Sequence, residues 1–473
     1  MVFSSTIFLF GFLPIFLGIY YLIPEGKRYL WILAGSWVFY AWWRVDFFVL
    51  LVATTAWSYV FGRMIARYRE ERPNRARVVG IVAVILNLGV LAYFKYANFG
   101  VDTLNTLLAG FGVDALSISR VILPIGISFY TFQATSYVVD VYRGDAPAGR
   151  SFGRVAAYIS LFPQLIAGPI LRYKNLAGQL RERTHTVPKF SHGAVRFMTG
   201  FCKKVLIADT VGVLVDQVFA LDAPGLPAAW LGAIGYTVQL YYDFTGYSDM
   251  AIGLGLMMGF RFIENFNRPY ISKSITEFWR RWHVSLSSWL RDYLYVPLGG
   301  NRRGVRRTYI NIMLVMLLGG LWHGAAWTFV AWGAWHGGFL VAERLLKDRG
   351  LEPKLPKALA VLATMIVVTI GWVVFRAGTF EGALSIYAGM FGFNGIAIGD
   401  RLLWQLSPLP IIMTAAGLII VYVEPKLSDI VKTPAERSLA HPRALTAAVI
   451  VLFLVSIVKL SAQSFSPFLY FQF

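Results

Sequence analysis

Residues 311–342 read NIMLVMLLGGLWHGAAWTFVAWGAWHGGFLVA, and this stretch decides the fold class of the chain. It contains no Asp, Glu, Lys or Arg, and its length suits one or two helices across a bilayer core about 30 Å thick. His323 lies in this apolar run, where an ionisable group is costly at membrane depth and tends to face a cavity. The stretch therefore predicts membrane helices and, at His323, a candidate functional site.

The composition extends this interpretation to the whole chain. Of 473 residues, 57% are hydrophobic and 15% are charged, whereas soluble domains carry about 25% charged residues. We expect one polytopic, all-α domain over residues 1–473 with about 10 to 13 membrane spans. The single cysteine, Cys202, excludes a disulfide scaffold and a cysteine-based metal cluster.

The basic residues predict the orientation in the membrane. The net charge of +19 could suggest nucleic acid, but membrane proteins concentrate Lys and Arg in cytoplasmic loops. Six arginines lie between residues 63 and 77, whereas residues 100–118 contain no Lys or Arg. The pattern predicts a cytoplasmic loop at 63–77 and both termini on the periplasmic side.

Two regions differ from an ordinary helical bundle. Residues 120–204 contain Pro124, Pro163 and Pro169, which favours re-entrant segments around a central cavity. Residues 275–296, ITEFWRRWHVSLSSWLRDYLYV, are too charged to span and predict a helix at the interface or along a wet funnel.

The other histidines divide by their surroundings. His336 lies 13 residues after His323, about 220° around a continuous helix, so the two share a site only if the helix breaks. His283 lies 40 residues before His323 and can meet it only through tertiary folding. Three histidines in polar, basic loops are expected at the solvated surface: His185, His192 and His441.

Acidic residues in the apolar regions have local explanations. Asp243 and Asp249 are six residues apart, which puts them on different helix faces and favours hydrogen-bonding struts over a proton relay. Glu277 has the spacing of a local ion pair with Arg280 or Arg281. The sequence has no Gly-x-Ser-x-Gly elbow, Walker loop, dinucleotide fingerprint or His-Glu-x-x-His motif.

Several strings carry a resemblance to a known family: PIGISFY at 124–130, DVYRGD at 140–145, GYSDMAIGLGLMMGFRF at 246–262, ITEFWRRWH at 275–283, WLRDYLY at 289–295 and LGGLWHG at 318–324. They are similar to strings of the membrane-bound O-acyltransferases, and the resemblance extends along almost the whole chain. It implies a multi-helix fold around a tunnel between the two membrane faces. The invariant histidine of the family corresponds to His323, and a second recurrent histidine to His283.

The resemblance also implies an activity and partners. We expect an inner-membrane component that takes acetyl from a cytoplasmic thioester, acetyl-coenzyme A, without a permanently bound cofactor or metal. A periplasmic partner of the SGNH hydrolase-like type then esterifies an exported polysaccharide, alginate in the first place. Alternatives within the family are acyl or D-alanyl transfer to cellulose, peptidoglycan or teichoic acid; outside it, a proton-coupled transporter.

The residues agree with acyl transfer from a thioester to a hydroxyl. Such a reaction needs a base and a dry site. His323 is the candidate base or acyl acceptor, and His283 its assistant. Four tryptophans are predicted to form aromatic walls that exclude water: Trp279, Trp282, Trp322 and Trp327.

Overall fold

The computed structural model describes residues 1–430, 443–462 and 468–469, and within these ranges every regular element is a helix. The all-α class is therefore confirmed. The chain divides into two compact units, Met1–Thr186 with Leu254–Ile263, and Val187–Gly253 with the residues from Glu264 onward. The single domain over residues 1–473 stays a prediction.

Eight α-helices begin before residue 187 in the described part of the chain, and a π-helical turn, Ile7–Phe12, precedes the first of them. They are α1 Leu13–Leu22, α2 Arg28–Ala41, α3 Val45–Tyr68, α4 Pro73–Ala109, α5 Ile127–Arg143, α6 Phe152–Ile159, α7 Phe162–Leu165 and α8 Tyr173–Leu176. Helices α3, α4 and α5 pack against one another.

The remaining helices include two further π-helical turns, Lys203–Ala208 and Arg291–Tyr295. They are α9 Val187–Cys202, α10 Asp209–Phe219, α11 Leu226–Met257, α12 Ile275–Arg281, α13 Val284–Leu290, α14 Val305–His323, α15 Trp327–Asp348, α16 Lys357–Arg376, α17 Phe380–Met390, α18 Asp400–Gln405, α19 Pro408–Ile430 and α20 Arg443–Ser461.

Length and composition mark this as a multi-pass membrane protein. Four of the described helices, α3, α4, α16 and α20, are long and apolar enough to cross a membrane. Helix α4 exposes Val78 and Ile85, whereas α5 buries polar residues such as Ser128 and Gln133. Apolar side chains outside and polar side chains inside are the arrangement that a lipid solvent favours. The count of 10 to 13 spans stays a prediction.

The proline-rich region has the irregular backbone that its sequence predicts. Helices α6, α7 and α8 contain only 8, 4 and 4 residues. Residues 160–171 are all buried although only part of this segment is helical. Buried non-helical backbone at membrane depth requires protein around it, and here the first unit provides that cover.

Residues 275–296 do not form the single continuous helix that the sequence predicts. The chain forms α12, α13 and a π-helical turn, with an interruption at Trp282 and His283. His283 has φ 44°, a left-handed conformation that non-glycine residues adopt infrequently. The break makes His283 the N-cap residue of α13.

Helices α14 and α15 pack closely, and at two glycines their backbones approach each other. A Cβ atom on Gly320 would collide with the carbonyl oxygen of Phe329. A Cβ atom on Gly333 would collide with the carbonyl oxygen of Met316 and lie 3.0 Å from its carbonyl carbon. Small residues at such crossings let two helix backbones approach closely.

We expect Gly333→Ala to destabilise the protein, because the added methyl meets main-chain atoms that cannot move aside. Gly338→Ala is the matched control on the same helix, where a Cβ atom would have nothing within 4 Å. The measurement is the midpoint of thermal unfolding in detergent. Overpacking should cost about 1–3 kcal/mol, whereas the control should gain up to about 1 kcal/mol from helix propensity. Equal midpoints for the two variants would contradict the packing described.

Candidate functional site

His323 is the last residue of α14, at a break in the apolar stretch. Gly324 and Ala326 have extended backbone angles, and α15 begins at Trp327. The stretch 311–342 is therefore two helices joined by a short extended connector. The His323 side chain is 5% exposed, so its imidazole lies inside the protein.

A small apolar cavity lies against His323. Its volume is about 20 Å³, enough for a group the size of one water molecule or a methyl. Its lining residues all belong to the second unit: Leu240, Asp243, Phe244, Trp282, His323, Trp372, Phe375, Phe468 and Leu469. Asp243 and His323 are the titratable groups among these residues.

Aromatic rings enclose the His323 imidazole. Ring centroids lie at 5.2 Å for Trp322, 5.2 Å for Trp332 and 5.4 Å for Phe375. The predicted aromatic walls are thus correct for Trp322 and for Trp282, which lines the cavity. Trp327 is wrong as a wall, because it is 53% exposed.

Sequence reasoning missed three members of this aromatic shell: Trp332, Trp372 and Phe375. Trp332 follows Trp327 by five residues, which turns it to a different face of α15. Residues Trp372 and Phe375 come from α16, whose pattern in the sequence predicts a plain membrane span. Only tertiary packing brings α16 to the site.

His283 lies beside His323. The two ring centroids are 6.3 Å apart, and both rings contact Trp322. The rings meet edge to face, with an interplanar angle of 63°, so they are not stacked. The structure therefore brings together the two histidines that the family resemblance singled out.

The backbone around His283 is held from α15. Both carboxylate oxygens of Glu343 accept hydrogen bonds from α12, at 2.6 Å from the amide nitrogen of Ile275 and 2.8 Å from that of Thr276. The predicted ion pair of Glu277 is confirmed with Arg281, at 2.7 Å. These contacts fix the short helix that precedes His283.

His336 is fully buried among aromatic rings, with centroids at 5.2 Å from Trp279 and 5.1 Å from Trp332. Trp332 thus contacts both His336 and His323. The helix break between the two histidines, which sequence reasoning set as the condition for a shared site, is present. His336 is not among the residues that line the cavity.

Asp243 brings a buried charge cluster to the edge of the cavity. Lys204 Nζ lies 2.7 Å from Asp243 Oδ1 and 2.6 Å from Asp209 Oδ1. The second oxygen of Asp243 accepts a hydrogen bond of 2.9 Å from the amide nitrogen of Leu469. Asp249 instead pairs with Arg196 and Lys203, each at 3.0 Å. Each aspartate therefore holds a cationic partner, and only Asp243 reaches the cavity.

The chain that carries these residues matches a known protein family. A model of the membrane-bound O-acyltransferase family matches residues 146–375. A protein of Azotobacter vinelandii, named "Probable alginate O-acetylase AlgI", is 50% identical over 503 residues and covers 100% of both chains. The chain belongs to the membrane-bound O-acyltransferase family.

Two further relatives of this acyltransferase illustrate its range. A Pseudomonas putida protein, also named "Probable alginate O-acetylase AlgI", is 52% identical over 495 residues and covers 100% of both chains. The "Peptidoglycan O-acetyltransferase" of Helicobacter pylori is 36% identical over 84% of this chain and 81% of its own. The resemblance is confirmed, and the chain is an acyltransferase. The matched segment 146–375 contains Asp243, His283 and His323.

Outside the cavity of this acyltransferase, His185 is not the solvated residue that its loop predicts. Its side chain is 10% exposed, and its ring nitrogens lie 2.8 Å from Tyr20 Oη and 3.0 Å from Arg28 Nη1. Burial and the guanidinium groups of Arg28 and Arg183 lower its pKa. His185 therefore anchors its loop within the first unit. His192 is half-buried in α9, and His441 lies outside the described residues.

Proposed function

We propose that the chain is an inner-membrane O-acetyltransferase component. It takes acetyl from a cytoplasmic thioester, acetyl-coenzyme A, and passes it across the membrane for esterification of exported alginate. The observation that carries the proposal is His323, a buried imidazole that lines a small apolar cavity. The full-length relatives named for alginate O-acetylation support the choice of acetyl and of polymer.

The chemistry follows from the imidazole and its surroundings. Neutral His323 accepts the proton of the acceptor hydroxyl as the hydroxyl oxygen bonds to the thioester carbonyl carbon. The carbon–sulfur bond then breaks, and the proton passes from the imidazolium to the leaving thiolate. The aromatic shell excludes water, which would otherwise hydrolyse the thioester. A relay in which His323 itself carries the acetyl group gives the same products, and trapping of an acetyl-histidine distinguishes the two.

The proposed function includes an orientation of the chain in the membrane and a periplasmic partner protein. The arginine-rich turn between α3 and α4 faces the cytoplasm, where its charge attracts the phosphates of coenzyme A. Both termini face the periplasm, where an SGNH hydrolase-like partner receives the acetyl group. Cys202 is buried, so a cysteine introduced at Arg75 can be labelled selectively. An impermeant maleimide should label position 75 only after the inner membrane is opened.

The test of the function is a gain of ester on the polymer. The chain is expressed in an alginate-producing bacterium that lacks its own alginate O-acetylase, and the exported alginate is examined by mass spectrometry. Acetyl esters on the alginate support the proposal. Alginate without ester, or with D-alanyl ester, contradicts it. Turnover of labelled acetyl-coenzyme A by the purified protein with its partner separates an acyltransferase from a proton-coupled transporter.

The cavity volume predicts a preference for short acyl groups. One additional methylene in a packed apolar pocket changes discrimination by about 10–200-fold. Because Leu240 lines the cavity, we expect Leu240→Ala to increase the ratio of propionyl to acetyl transfer by about 10-fold. Leu214→Ala is the matched control, since Leu214 is fully buried in another cluster of the second unit. Competition between the two coenzyme A thioesters measures the ratio, and an equal change in both variants would contradict the assignment.

A further inference from the structure

We propose that Asn265 is a positioning residue that holds His283 in the tautomer with its proton on Nδ1, so that Nε2 is the proton-accepting nitrogen. The inference deepens the proposed function, because it rests on His283 assisting His323. It starts from the break between α12 and α13, where Asn265 and His283 are both fully buried.

Asn265 binds the start of α13 through two different oxygens. Its main-chain oxygen accepts a hydrogen bond of 2.8 Å from the amide nitrogen of Val284. Its side-chain Oδ1 lies 3.2 Å from the amide nitrogen and 2.8 Å from the Oγ of Ser285. The same Oδ1 lies 3.2 Å from Nδ1 of His283.

The orientation of the Asn265 amide follows from these partners. The amide nitrogen of Ser285 can only donate, so the side-chain atom of Asn265 that faces it must be the oxygen. That oxygen has only acceptor capacity toward His283. A favourable contact between Oδ1 and Nδ1 therefore requires the proton of the imidazole to be on Nδ1.

Two longer contacts at Nδ1 compete with this assignment. The amide nitrogen of Leu286 and the Oγ of Ser285 each lie 3.4 Å from Nδ1. Both distances exceed the usual range for nitrogen and oxygen donors, about 2.7–3.2 Å, whereas the contact with Asn265 lies within it. The Nδ1–H tautomer keeps the shortest of the three contacts as a hydrogen bond.

In this tautomer the chemistry of His283 is carried by Nε2. The atom is buried and has no hydrogen-bond partner among the described residues. The ring of His283 faces Phe244 at 4.8 Å, Trp322 at 6.0 Å and His323 at 6.3 Å. The titratable group in ring contact with His283 is thus His323. A bare Nε2 can accept a proton from substrate, whereas the other tautomer could only donate one.

The left-handed backbone of His283 is held in place by hydrogen bonds to Asn265. Such a conformation is strained in a non-glycine residue and persists when the surroundings over-determine it. Here the main-chain amides of Val284 and Ser285 both bind Asn265. Asn265 thus fixes the backbone of His283 and the ring nitrogen of the same residue.

The first arm of the test measures the tautomer without reference to activity. The full chain is labelled with ¹⁵N-histidine, placed in lipid nanodiscs and observed by NMR, with the His283 signals assigned by their loss in His283→Gln. We expect the Nδ1–H tautomer in the wild type and in Asn265→Asp. A wild-type His283 with its proton on Nε2 overturns the inference, whatever the activity.

The second arm measures acetyl transfer in three variants. Asn265→Leu removes the acceptor and should lower kcat by about 10²-fold with little change in KM for acetyl-coenzyme A. Asn265→Asp keeps an acceptor in place and should restore most of kcat, while its charge stabilises the imidazolium and moves the acidic limb of the pH profile upward. Asn267→Leu is the matched control, since the Asn267 side chain is exposed and the residue binds Arg281 through its main-chain nitrogen and oxygen.

The outcomes separate the inference from the function on which it rests. If Asn265→Leu keeps the wild-type kcat, or if Asn265→Asp loses kcat as Asn265→Leu does, the positioning role is wrong. If His283→Gln is as active as the wild type, the assisting role of His283 fails, while the tautomer measured by NMR still stands on its own.

Discussion

His323→Gln is expected to abolish acetyl transfer, lowering the rate by about 10²–10⁴-fold. Glutamine has a similar length and polarity but cannot take a proton near neutral pH. The residue is 5% exposed and lines the cavity, and the other titratable group among the lining residues, Asp243, is paired with Lys204. The measurement is the ester content of exported alginate, with the amount of inserted protein determined in the same membranes.

His336→Gln is the matched control for that experiment. His336 is fully buried and shares Trp332 with His323, but it does not line the cavity. We expect this variant to retain activity within a few-fold of the wild type at equal protein level. Normal esterification by His323→Gln would remove the proposed chemistry, and equal inactivity of both variants would show that the loss reflects packing of the aromatic shell.

The second large effect is expected from Lys204→Met. Lys204 is 3% exposed and lies within 2.7 Å of carboxylate oxygens of Asp243 and Asp209. Removing the shared cation leaves the buried Asp243 and the half-buried Asp209 without it, and breaking a buried pair costs about 3–5 kcal/mol. We expect a much lower unfolding midpoint in detergent, with partial recovery in the double variant Lys204→Met/Asp243→Asn.

The neighbouring lysine provides the comparison. Lys203 is partly exposed, and its partner Asp249 also binds Arg196. Lys203→Met should therefore cost no more than about 1 kcal/mol. If Lys204→Met and Lys203→Met unfold at the same temperature, the Lys204–Asp243 pair contributes no more to the stability of the fold than the Lys203–Asp249 pair does.

The sequence predicts which residue types carry the chemistry of the site better than it predicts how they are arranged in space. His323 is conspicuous because an ionisable side chain in an uncharged apolar run is costly, and this signal, which His336 shares, needs no structure. The position of His283 beside it came from the family resemblance, since a separation of 40 residues does not specify a contact. The local reason is the break before α13, and histidine is not among the residues that usually cap a helix.

The sequence marks the start of α12 but not the position of Lys204 or the exposure of Trp327. The start of α12 is marked by Ser274 and Glu277, a capping-box spacing, and the Ser274 side chain does accept from the amide of Glu277. The shared Lys204 was not predictable, because it lies 39 residues before Asp243 in a stretch with several charged neighbours. The exposure of Trp327 was not predictable either, because its place at the first turn of α15 depends on the connector at residues 324–326.

The main-chain contact of α14 with α15 has a mechanical consequence for turnover. With the carbonyl of Phe329 seated against Gly320, and that of Met316 against Gly333, the helices cannot shear past each other without a steric clash. We therefore expect α14 and α15 to move as one body, with His323 held at a fixed position relative to both helices.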